Sequence, residues 1–301
     1  MDQQSAKPIA ALHRPVLLKE SIESLVWDPR GLYVDATAGL GGHSRAIAQA
    51  LQPPGGLLSI DMDPEMTELA RARLGGLEIP PRLVCGNFKD IARILDENSF
   101  SPISGVLFDF GVSSYHLEQS RRGFSFQSEG PLDMRLNQSL PLRACDVVNC
   151  WPKEELARIF LQCSEGSRSG KLAEAIVRQR ALKGFETTRE LSALIERLSP
   201  RGRRHGATKV FMALRIAVNR ELENIEAGLR GVAPFLAPGG RIAAISFHSL
   251  EDRIVKNVFK EMEATGLWKR AGKKPLTPSR QEVGENPRAR SAKLRVIEKQ
   301  A

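Results

Sequence analysis

The feature that most constrains this 301-residue chain is a glycine-rich turn between two β-like runs. The turn occupies residues 35–43 (DATAGLGGH), a helical pattern follows it, and the second run ends at Asp61. Glycines let a backbone turn tightly and approach a ligand closely, and a helix that starts there points its first N–H groups at an anion. Asp61 stands 22 residues after Gly39, where such units place an acid against ribose hydroxyls. The pattern predicts a nucleotide-binding βαβ unit, with a purely steric role for the glycines as the alternative.

The position of Asp35 narrows the range of cofactors that the glycine-rich turn is expected to bind. The chain lacks the G-x-x-x-x-G-K-[ST] signature of a P-loop, and its turn is not G-x-G-x-x-G. A carboxylate just before the glycines repels a pyrophosphate but attracts an ammonium or a sulfonium group. S-adenosylmethionine carries both cations, and its only anion is a carboxylate that a helix N-terminus can hold. We therefore predict this cofactor; a buried acid that caps the glycine loop is a second role for Asp35, and the two are compatible.

Composition limits the class of protein. The apolar content of 42% can form one large domain, or a domain with an insert, and the net charge of +9 favours a polyanionic partner. The four cysteines show no C-x-x-C pairing and no neighbouring histidine cluster, so neither a disulfide framework nor a zinc site is expected. We find no apolar run near 18 residues and no secretion signal, and we expect a cytoplasmic protein that does not span a membrane.

Strand-like and helix-like patterns alternate along most of the chain. Such alternation predicts an α/β fold with a mostly parallel sheet covered on both faces. Residues 118–206 break the rhythm, because they contain helical segments and polar turns but no convincing strand. The prediction is a core of residues 1–117 and 207–301 interrupted by an all-helical insert at 118–206. The candidate strands lie at residues 32–36, 57–61, 82–85, 105–110, 241–247 and 294–297.

An apolar stripe follows the predicted insert. Its seven members are spaced by 3, 4, 4, 3, 4 and 3 residues, which indicates one long helix packed on the sheet. Residues 238–240 (PGG) then predict a turn before the next strand. The stripe consists of Phe211, Leu214, Val218, Leu222, Ile225, Leu229 and Val232.

Asp109 is the candidate catalytic residue. It ends the fourth candidate strand, and ligands of open α/β sheets bind beyond the carboxyl ends of the strands. An amine that attacks a methyl group must lose a proton, and a carboxylate can accept a hydrogen bond from that amine. The alternative is that Asp109 only orders the loop through Ser113 and Ser114. Phe88 follows the third strand, where core packing is favoured over contact with an adenine ring.

Two further segments are candidates for substrate contact. His248 follows the fifth strand and can contact substrate or simply form a structural hydrogen bond, while Ser249 and Asp252 fit a helix capping box. Arg122 and Phe124 belong to a run that mixes arginines, aromatics and polar groups, which can bind RNA by stacking and phosphate contact or anchor a loop. Basic clusters at residues 201–205, 269–274 and 288–299 also favour a polyanionic substrate.

Seven strings of residues together resemble one family, the bacterial ribosomal RNA small subunit methyltransferase H family. The resemblance runs from about residue 13 to residue 298, and its strings are long and nearly unbroken. They lie at residues 13–18 (HRPVLL), 35–43, 109–114 (DFGVSS), 122–126 (RGFSF), 130–135 (GPLDMR), 246–253 (SFHSLEDR) and 285–291 (ENPRARS).

The resemblance implies N4-methylation of a cytidine in the decoding region of 16S rRNA, with S-adenosylmethionine as donor. It implies a Rossmann-like methyltransferase sheet interrupted by a helical substrate-recognition domain. His116 stands where the family usually has a glutamine, and it can still donate one hydrogen bond to the cofactor. The other cofactor contacts implied by position are Gly41, Gly42, His43, Asp61, Phe88 and Asp109.

The sequence therefore predicts an rRNA (cytosine-N4-)-methyltransferase that acts on 16S rRNA or the small ribosomal subunit. Three other classes stay open. A small-molecule methyltransferase would explain the glycine loop but not the basic clusters, and the position of Asp35 opposes a nicotinamide-dependent oxidoreductase. A non-enzymatic RNA-binding ribosome assembly factor would have no reason to keep an acid-lined cofactor pocket.

Overall fold

The computed structural model describes residues 15–163, 168–198 and 206–301. Within these ranges seven strands form one sheet. The predicted strands are all present, with ends shifted by up to five residues, and one short strand, β6, was not predicted. The strands are β1 (Leu32–Asp35), β2 (Gly56–Asp61), β3 (Arg82–Cys85), β4 (Ile103–Asp109), β5 (Leu236–Ser246), β6 (Trp268–Arg270) and β7 (Lys293–Lys299).

The order of the strands in the sheet is β3-β2-β1-β4-β5-β7-β6. The first five are parallel, and β7 runs antiparallel to both of its neighbours. The order reverses direction between β1 and β4, and the crevice outside the carboxyl ends of two such strands is the usual ligand site of a doubly wound sheet. The prediction of a Rossmann-like α/β fold is confirmed, and this topology places the expected site at the ends of β1 and β4.

Residues 238–240 are not the predicted turn. They lie inside β5, where the chain bulges: Ile103 pairs with Leu236, but Gly105 pairs with Arg241. The middle glycine of the triplet has φ +78°, a left-handed conformation that favours glycine. A bulge lets a strand keep its pairing on both sides of extra residues. The Pro-Gly-Gly triplet therefore forms a bulge within β5 and does not end a strand.

Helices make up most of the remaining regular structure of the described residues. Among the described residues, none of them combines the length and apolar character needed to cross a bilayer. They are α1 (Leu18–Leu25), α2 (Gly42–Ala50), α3 (Pro64–Leu74), α4 (Ile91–Glu97), α5 (Ser114–Glu118), α6 (Ala144–Cys150), α7 (Lys153–Gln162), α8 (Ser169–Leu182), α9 (Thr188–Leu198), α10 (Ala207–Asn219), α11 (Glu221–Val232), α12 (Ser249–Ala264) and α13 (Arg280–Glu285).

The chain divides into two compact units, whose boundaries differ from the predicted ones. The core unit comprises residues 1–111 and 222–301 and contains the sheet; the insert unit spans Val112–Glu221. The insert therefore begins six residues before, and ends fifteen residues after, the predicted limits of 118 and 206. The described part of the insert is helical, with α10 packed against α6, α7 and α9, and this packing explains why its boundary lies beyond α10.

The apolar stripe at residues 211–232 forms two helices, not one. Arg220 separates α10 from α11 and has a left-handed backbone, with φ 51° and ψ 40°. Phe211, Leu214 and Val218 are buried in the insert unit, whereas Ile225 belongs to the apolar cluster that packs on the sheet. Periodicity survives such a break because one non-helical residue need not change which face is apolar, so the prediction of packing on the sheet was right only for the second half.

The core unit buries one apolar cluster on each face of the sheet. One cluster joins the sheet to α4, α11 and α12, and the other joins it to α1, α2 and the residues that precede β7. The central strand β4 is almost wholly buried, with Val106 and Phe108 turned into the first cluster and Leu107 into the second. Fixed on both faces, β4 holds its last residue, Asp109, in a defined position at the sheet edge.

Candidate active site

Three predicted acids reach one edge of the core unit because their strands are parallel neighbours. Asp35 ends β1, Asp61 ends β2 and Asp109 ends β4. The backbone N–H of Asp109 donates to Oγ1 of Thr37 at 2.7 Å, which ties β4 to the start of the glycine turn. The three carboxylates predicted from strand ends are thus assembled at the point where the sheet order reverses.

The glycine turn folds back over the end of β2. Gly39 N–H donates to Oδ2 of Asp61 at 2.7 Å, and Asp63 N–H donates to Oδ1 at 2.9 Å. Asp61 therefore shapes the loop as well as standing where an acid meets ribose in such folds. A carboxylate has about four acceptor sites, so one carboxylate can hold a loop and also accept from a ligand.

Gly41 and Gly42 are required by the turn itself. Gly41 is the N-cap of α2 with φ +80°, and a Cβ on Gly42 would lie 2.3 Å from Cγ of Pro15. Within the described residues, no side-chain hydrogen bond caps α2. The first turn of a helix has N–H groups without intrahelical partners, and an uncapped one suits a carboxylate or phosphate. The steric and the ligand-binding interpretations of these glycines are therefore both compatible with the structure.

Asp35 is fully buried and plays the loop-capping role. It accepts hydrogen bonds from the N–H of Thr37 at 3.1 Å and from Oγ of Ser44 at 2.6 Å, and Ser44 lies 2.9 Å from the hydroxyl of Ser59. Burial raises the pKa of Asp35, and the nearby His43 and these hydrogen bonds only partly offset that effect. The attraction of Asp35 for a cationic ligand stays a prediction.

His43 and Asp109 form a buried pair. Nε2 of His43 lies 3.5 Å from Oδ2 of Asp109, an ion-pair distance that lacks the alignment of a hydrogen bond. Burial lowers the pKa of His43, but the Asp109 carboxylate and the charge of Asp35 outweigh it and raise the pKa above the usual value. Within the described residues, both ring nitrogens of His43 and Oδ1 of Asp109 are buried without a hydrogen-bond partner. Such atoms are costly in a folded protein, so they indicate a ligand.

Phe88 packs in the core unit and keeps a partly exposed ring. It begins a short 3₁₀ turn after β3, and its centroid lies 5.7 Å from that of Phe108 and 5.8 Å from that of Phe110. Gly228 on α11 permits this packing, because a Cβ there would lie 2.8 Å from the Phe88 ring. The core-packing interpretation is right for one side of the ring, and the exposed part leaves room for the implied cofactor contact.

His248 caps α12, which corrects the predicted capping box by one residue. The box pairs His248 with Glu251, not Ser249 with Asp252: Glu251 N–H donates to Nδ1 of His248 at 3.4 Å, and Oε2 of Glu251 accepts from His248 N–H at 3.2 Å. The structure thus gives His248 the role of a structural hydrogen-bonder. Its contact with substrate stays a prediction.

Asp252 has a role that the sequence did not reveal. It accepts from Nζ of Lys293 at 2.9 Å and from Nε of Arg295 at 2.7 Å, fastening α12 to β7. These two cations hold the pKa of Asp252 below its usual value, although burial acts in the opposite direction. Part of the basic cluster predicted at 288–299 therefore serves the fold and not a polyanion.

His116 belongs to the insert unit, where it completes another capping box. Ser113 is the N-cap of α5; its hydroxyl accepts from His116 N–H at 3.3 Å, and Nδ1 of His116 accepts from Ser113 N–H at 3.3 Å. The ring also packs near Phe124, with centroids 5.5 Å apart and ring planes tilted by 46°. His116 therefore forms hydrogen bonds within its own loop. Its implied contact with the cofactor stays a prediction.

Arg122 and Phe124 lie inside the insert unit, which opposes their predicted contact with RNA. Arg122 is only 1% exposed, and its Nη2 donates to the carbonyl oxygens of Arg135 at 3.1 Å and Leu136 at 2.6 Å. Phe124 is 6% exposed. The structure favours the alternative interpretation, a loop anchored by its phenylalanines, because a guanidinium bound to two buried carbonyls cannot also reach a phosphate. The basic cluster at 201–205 and the N-terminal residues 1–14 lie outside the described residues.

Comparison with known protein families is consistent with the site described above. The family model of the MraW methylase family matches residues 10–300. The chain belongs to this family. The predicted methyltransferase class, and S-adenosylmethionine as its methyl donor, are thereby confirmed for this MraW methylase.

Curated relatives of this MraW methylase cover nearly its full length. A ribosomal RNA small subunit methyltransferase H from Thermomicrobium roseum is 45% identical over 97% of this chain and 95% of its own length. A protein of the same name from Dictyoglomus thermophilum is 46% identical over 97% of this chain and 98% of its own. Among solved structures, a SAM-dependent O-methyltransferase from Thermotoga maritima matches with a TM-score of 0.45 and 10% identity, over 97% of this chain and 70% of that one.

The residues of the core unit fit this cofactor. The uncapped start of α2 suits its carboxylate, and the acids at the strand ends suit its ammonium and sulfonium charges. The partner-free atoms of His43 and Asp109 are the polar groups for which a ligand would supply hydrogen bonds. Acids at three neighbouring strand ends would repel a pyrophosphate but are compatible with S-adenosylmethionine.

Proposed function

We propose that this MraW methylase transfers a methyl group from S-adenosylmethionine to N4 of a cytidine in the decoding region of 16S rRNA. The observation that carries the proposal is the buried His43–Asp109 pair beside the glycine turn, with polar atoms that no described residue satisfies. The names of the curated relatives support small-subunit rRNA as the substrate. The family resemblance supports the target nucleotide.

Three features of the core unit would hold the cofactor. The N–H groups at Gly41–His43 would bind its carboxylate, and Asp61 would accept hydrogen bonds from the ribose hydroxyls. The exposed part of Phe88 would lie against the adenine ring. When bound, the cofactor supplies an electrophilic methyl group on a sulfonium centre.

The chain's own contribution to the chemistry centres on Asp109. The lone pair of cytosine N4 is delocalised into the ring, so this amine is a weak nucleophile. A hydrogen bond from the amino group to the Asp109 carboxylate would localise that lone pair, and the same carboxylate can take the proton released once the N–CH₃ bond has formed. His43 would hold Oδ2 of Asp109 and leave Oδ1, which has no partner among the described residues, as the acceptor.

The target base must leave its stack to reach a pocket at a sheet edge, as base-modifying enzymes require. Holding a weak nucleophile in line with its electrophile can contribute several kcal/mol to catalysis. We assign recognition of the surrounding RNA to the helical insert, Val112–Glu221, and to cationic surface of the core unit. Because the substrate is ribosomal RNA, we place the reaction in the cytoplasm.

The decisive test is nucleoside mass spectrometry of small-subunit rRNA. RNA from cells that lack this chain should lose one N4-methylcytidine, and the purified chain with S-adenosylmethionine should restore it. Restoration of a different modified nucleoside would overturn the assignment to cytosine N4. A chain that fails to bind S-adenosylmethionine in calorimetry would favour an assembly factor, and methylation of small molecules alone would favour a different substrate class.

A further inference from the structure

The segment from residue 271 to residue 292, which we call the basic strap, concentrates positive charge in the core unit. It contains five cations and two acids in 22 residues, a net +3 of the chain's +9. All five cations are exposed. The strap links β6 to β7 and contains α13. Its cations are Lys273, Lys274, Arg280, Arg288 and Arg290.

The first half of the strap runs beside β7 toward the edge of the sheet at which the candidate active site lies. At its start, Ala271 N–H donates to the carbonyl of Val296 at 3.0 Å. Farther along, Leu276 forms an antiparallel bridge with Leu294, and Leu294 pairs with Ile245, the residue before the end of β5. Because β5 runs parallel to β4, residues that follow Leu276 leave the sheet at the edge where Asp109 lies.

A second, independent contact places α13 at the same edge. Leu17 N–H donates to Oε1 of Glu282 at 2.8 Å. Leu17 is the N-cap of α1, and the nearby Pro15 packs against Gly42 at the start of α2. Glu282 on α13 is therefore bound to the chain that packs on the glycine turn.

Small apolar residues anchor the second half of the strap in the core unit. Ala289 and Ala292 are fully buried in the apolar cluster that contains α1 and α2, whereas Arg288 and Arg290 on either side of Ala289 are exposed. The next cations along the chain behave differently, because Lys293 and Arg295 bind Asp252. The structure thus separates a basic run into a folding part and a surface part.

We propose that the basic strap binds the phosphate backbone of the RNA substrate beside the target nucleotide; this inference rests on the proposed function. Cations that bind phosphates release condensed counterions, and phosphate contacts fix the register of a nucleic acid without reading its sequence. A cationic surface bound to the same edge as Asp109 suits that task. The strap then positions the strand from which the cytidine is extruded.

Charge reversal with a matched control tests this inference. One variant carries Lys273→Glu and Lys274→Glu, and the control carries Lys256→Glu and Lys260→Glu, which change the net charge equally on the exposed side of α12. The probe is a labelled transcript of the 16S decoding region, measured by fluorescence anisotropy from 50 to 300 mM salt. A second strap variant, Arg280→Glu with Arg290→Glu, reverses the cations at the sheet edge.

Both strap variants should raise the Kd for the transcript about tenfold or more over the control. Loss of two phosphate contacts should also reduce the slope of log K against log salt by about 1.5. The Kd for S-adenosylmethionine and the melting temperature should stay within error, which separates a lost RNA contact from a lost fold.

Equal RNA affinity for strap variants and control would overturn the inference while leaving methylation of the transcript, and hence the proposed function, intact. If the strap variants lost affinity for polyglutamate but kept it for RNA, the strap would be a surface for acidic protein and the inference would be wrong. A wild-type chain that neither binds nor methylates transcript or small subunit would overturn both proposals.

Discussion

The core unit and the insert unit each bury a charged side chain, but the hydrogen bonds of that side chain differ between the two units. In the insert, Arg122 donates to the carbonyls of Arg135 and Leu136, so its charge holds two turns of one loop together. In the core, His43 faces Asp109 at 3.5 Å, and neither ring nitrogen has a hydrogen-bond partner among the described residues. Burial alone therefore does not distinguish a functional residue from a structural one. The two side chains differ in the hydrogen bonds they form: Nη2 of Arg122 donates to two backbone carbonyls, whereas the His43 ring forms no hydrogen bond within the described residues.

The difference has an energetic basis. A buried charge that is paired and hydrogen-bonded within the protein stabilises a particular fold, and removal of its partner is expensive. A buried polar atom without a partner costs free energy until a ligand supplies one. Arg122 belongs to the first kind, and the His43–Asp109 pair to the second. The predictions below test that separation.

The largest effect is expected for Asp109→Asn. The amide keeps the shape of the side chain but cannot take a proton, so methylation should fall by about 10²–10⁴-fold, in line with loss of a general base. Above the folded-state pKa of His43, where the carboxylate no longer stabilises a charged histidine, the melting temperature should stay near that of the wild type, because Oδ1 of Asp109 has no hydrogen-bond partner among the described residues. Single-turnover methylation of small subunits measures the rate, and activity within tenfold of wild type would remove Asp109 from the chemistry.

Arg122→Ala should act on stability. Truncation leaves the carbonyls of Arg135 and Leu136 without their donor and opens a cavity, which should cost about 3–5 kcal/mol of unfolding free energy. The exposed neighbour Arg121 offers the matched control, since Arg121→Ala should change stability by no more than about 0.5 kcal/mol. Denaturant titration measures both. If Arg122→Ala proved stable yet unable to bind RNA, Arg122 would contact substrate after all.

Gly42→Ala should perturb the cofactor site through sterics. The new Cβ would lie 2.3 Å from Cγ of Pro15, so the start of α2 or the chain before α1 must shift, at a cost of about 1–3 kcal/mol. Calorimetry should show weaker binding of S-adenosylmethionine. Gly76→Ala is the control, because a Cβ there would meet nothing within 4 Å. Equal cofactor affinity in the two variants would show that the position of the turn is not critical for binding.

Sequence patterns predicted the parts of the molecule that depend on local chemistry. The strand ends that carry Asp35, Asp61 and Asp109 were predicted to within one residue, because buried parallel strands are continuous apolar runs that stop where a polar residue begins. The break at Arg220 was missed, because an apolar period passes through a single left-handed residue without a change of phase. The burial of Arg122 was missed for another reason: its partners are backbone carbonyls 13 and 14 residues away, and a carbonyl leaves no trace in a sequence.

The smallest expected effect concerns how the free energy of unfolding changes with pH, and it depends on His43 in the core unit. Burial lowers the pKa of this histidine, but Asp109 and Asp35 together raise it above 6.5, so the folded state binds the proton more tightly than the unfolded chain. The resulting stabilisation is fully present below pH 6.5 and is lost as the pH rises through the folded-state pKa. The pKa of Asp35 is also raised, chiefly by burial. The stabilisation that results from Asp35 is lost as the pH rises from about 3.8.

The difference in unfolding free energy between wild type and His43→Gln should therefore shrink steadily as the pH rises above 6.5. Thermal or urea unfolding at intervals from pH 5 to pH 9 measures it. The corresponding difference for Arg122→Ala should be flat over this range, because arginine side chains do not titrate there. A flat profile for His43→Gln would mean that His43 is neutral in the free protein, and the contrast between the two buried groups would then lie in hydrogen bonding alone, without a charge on the histidine.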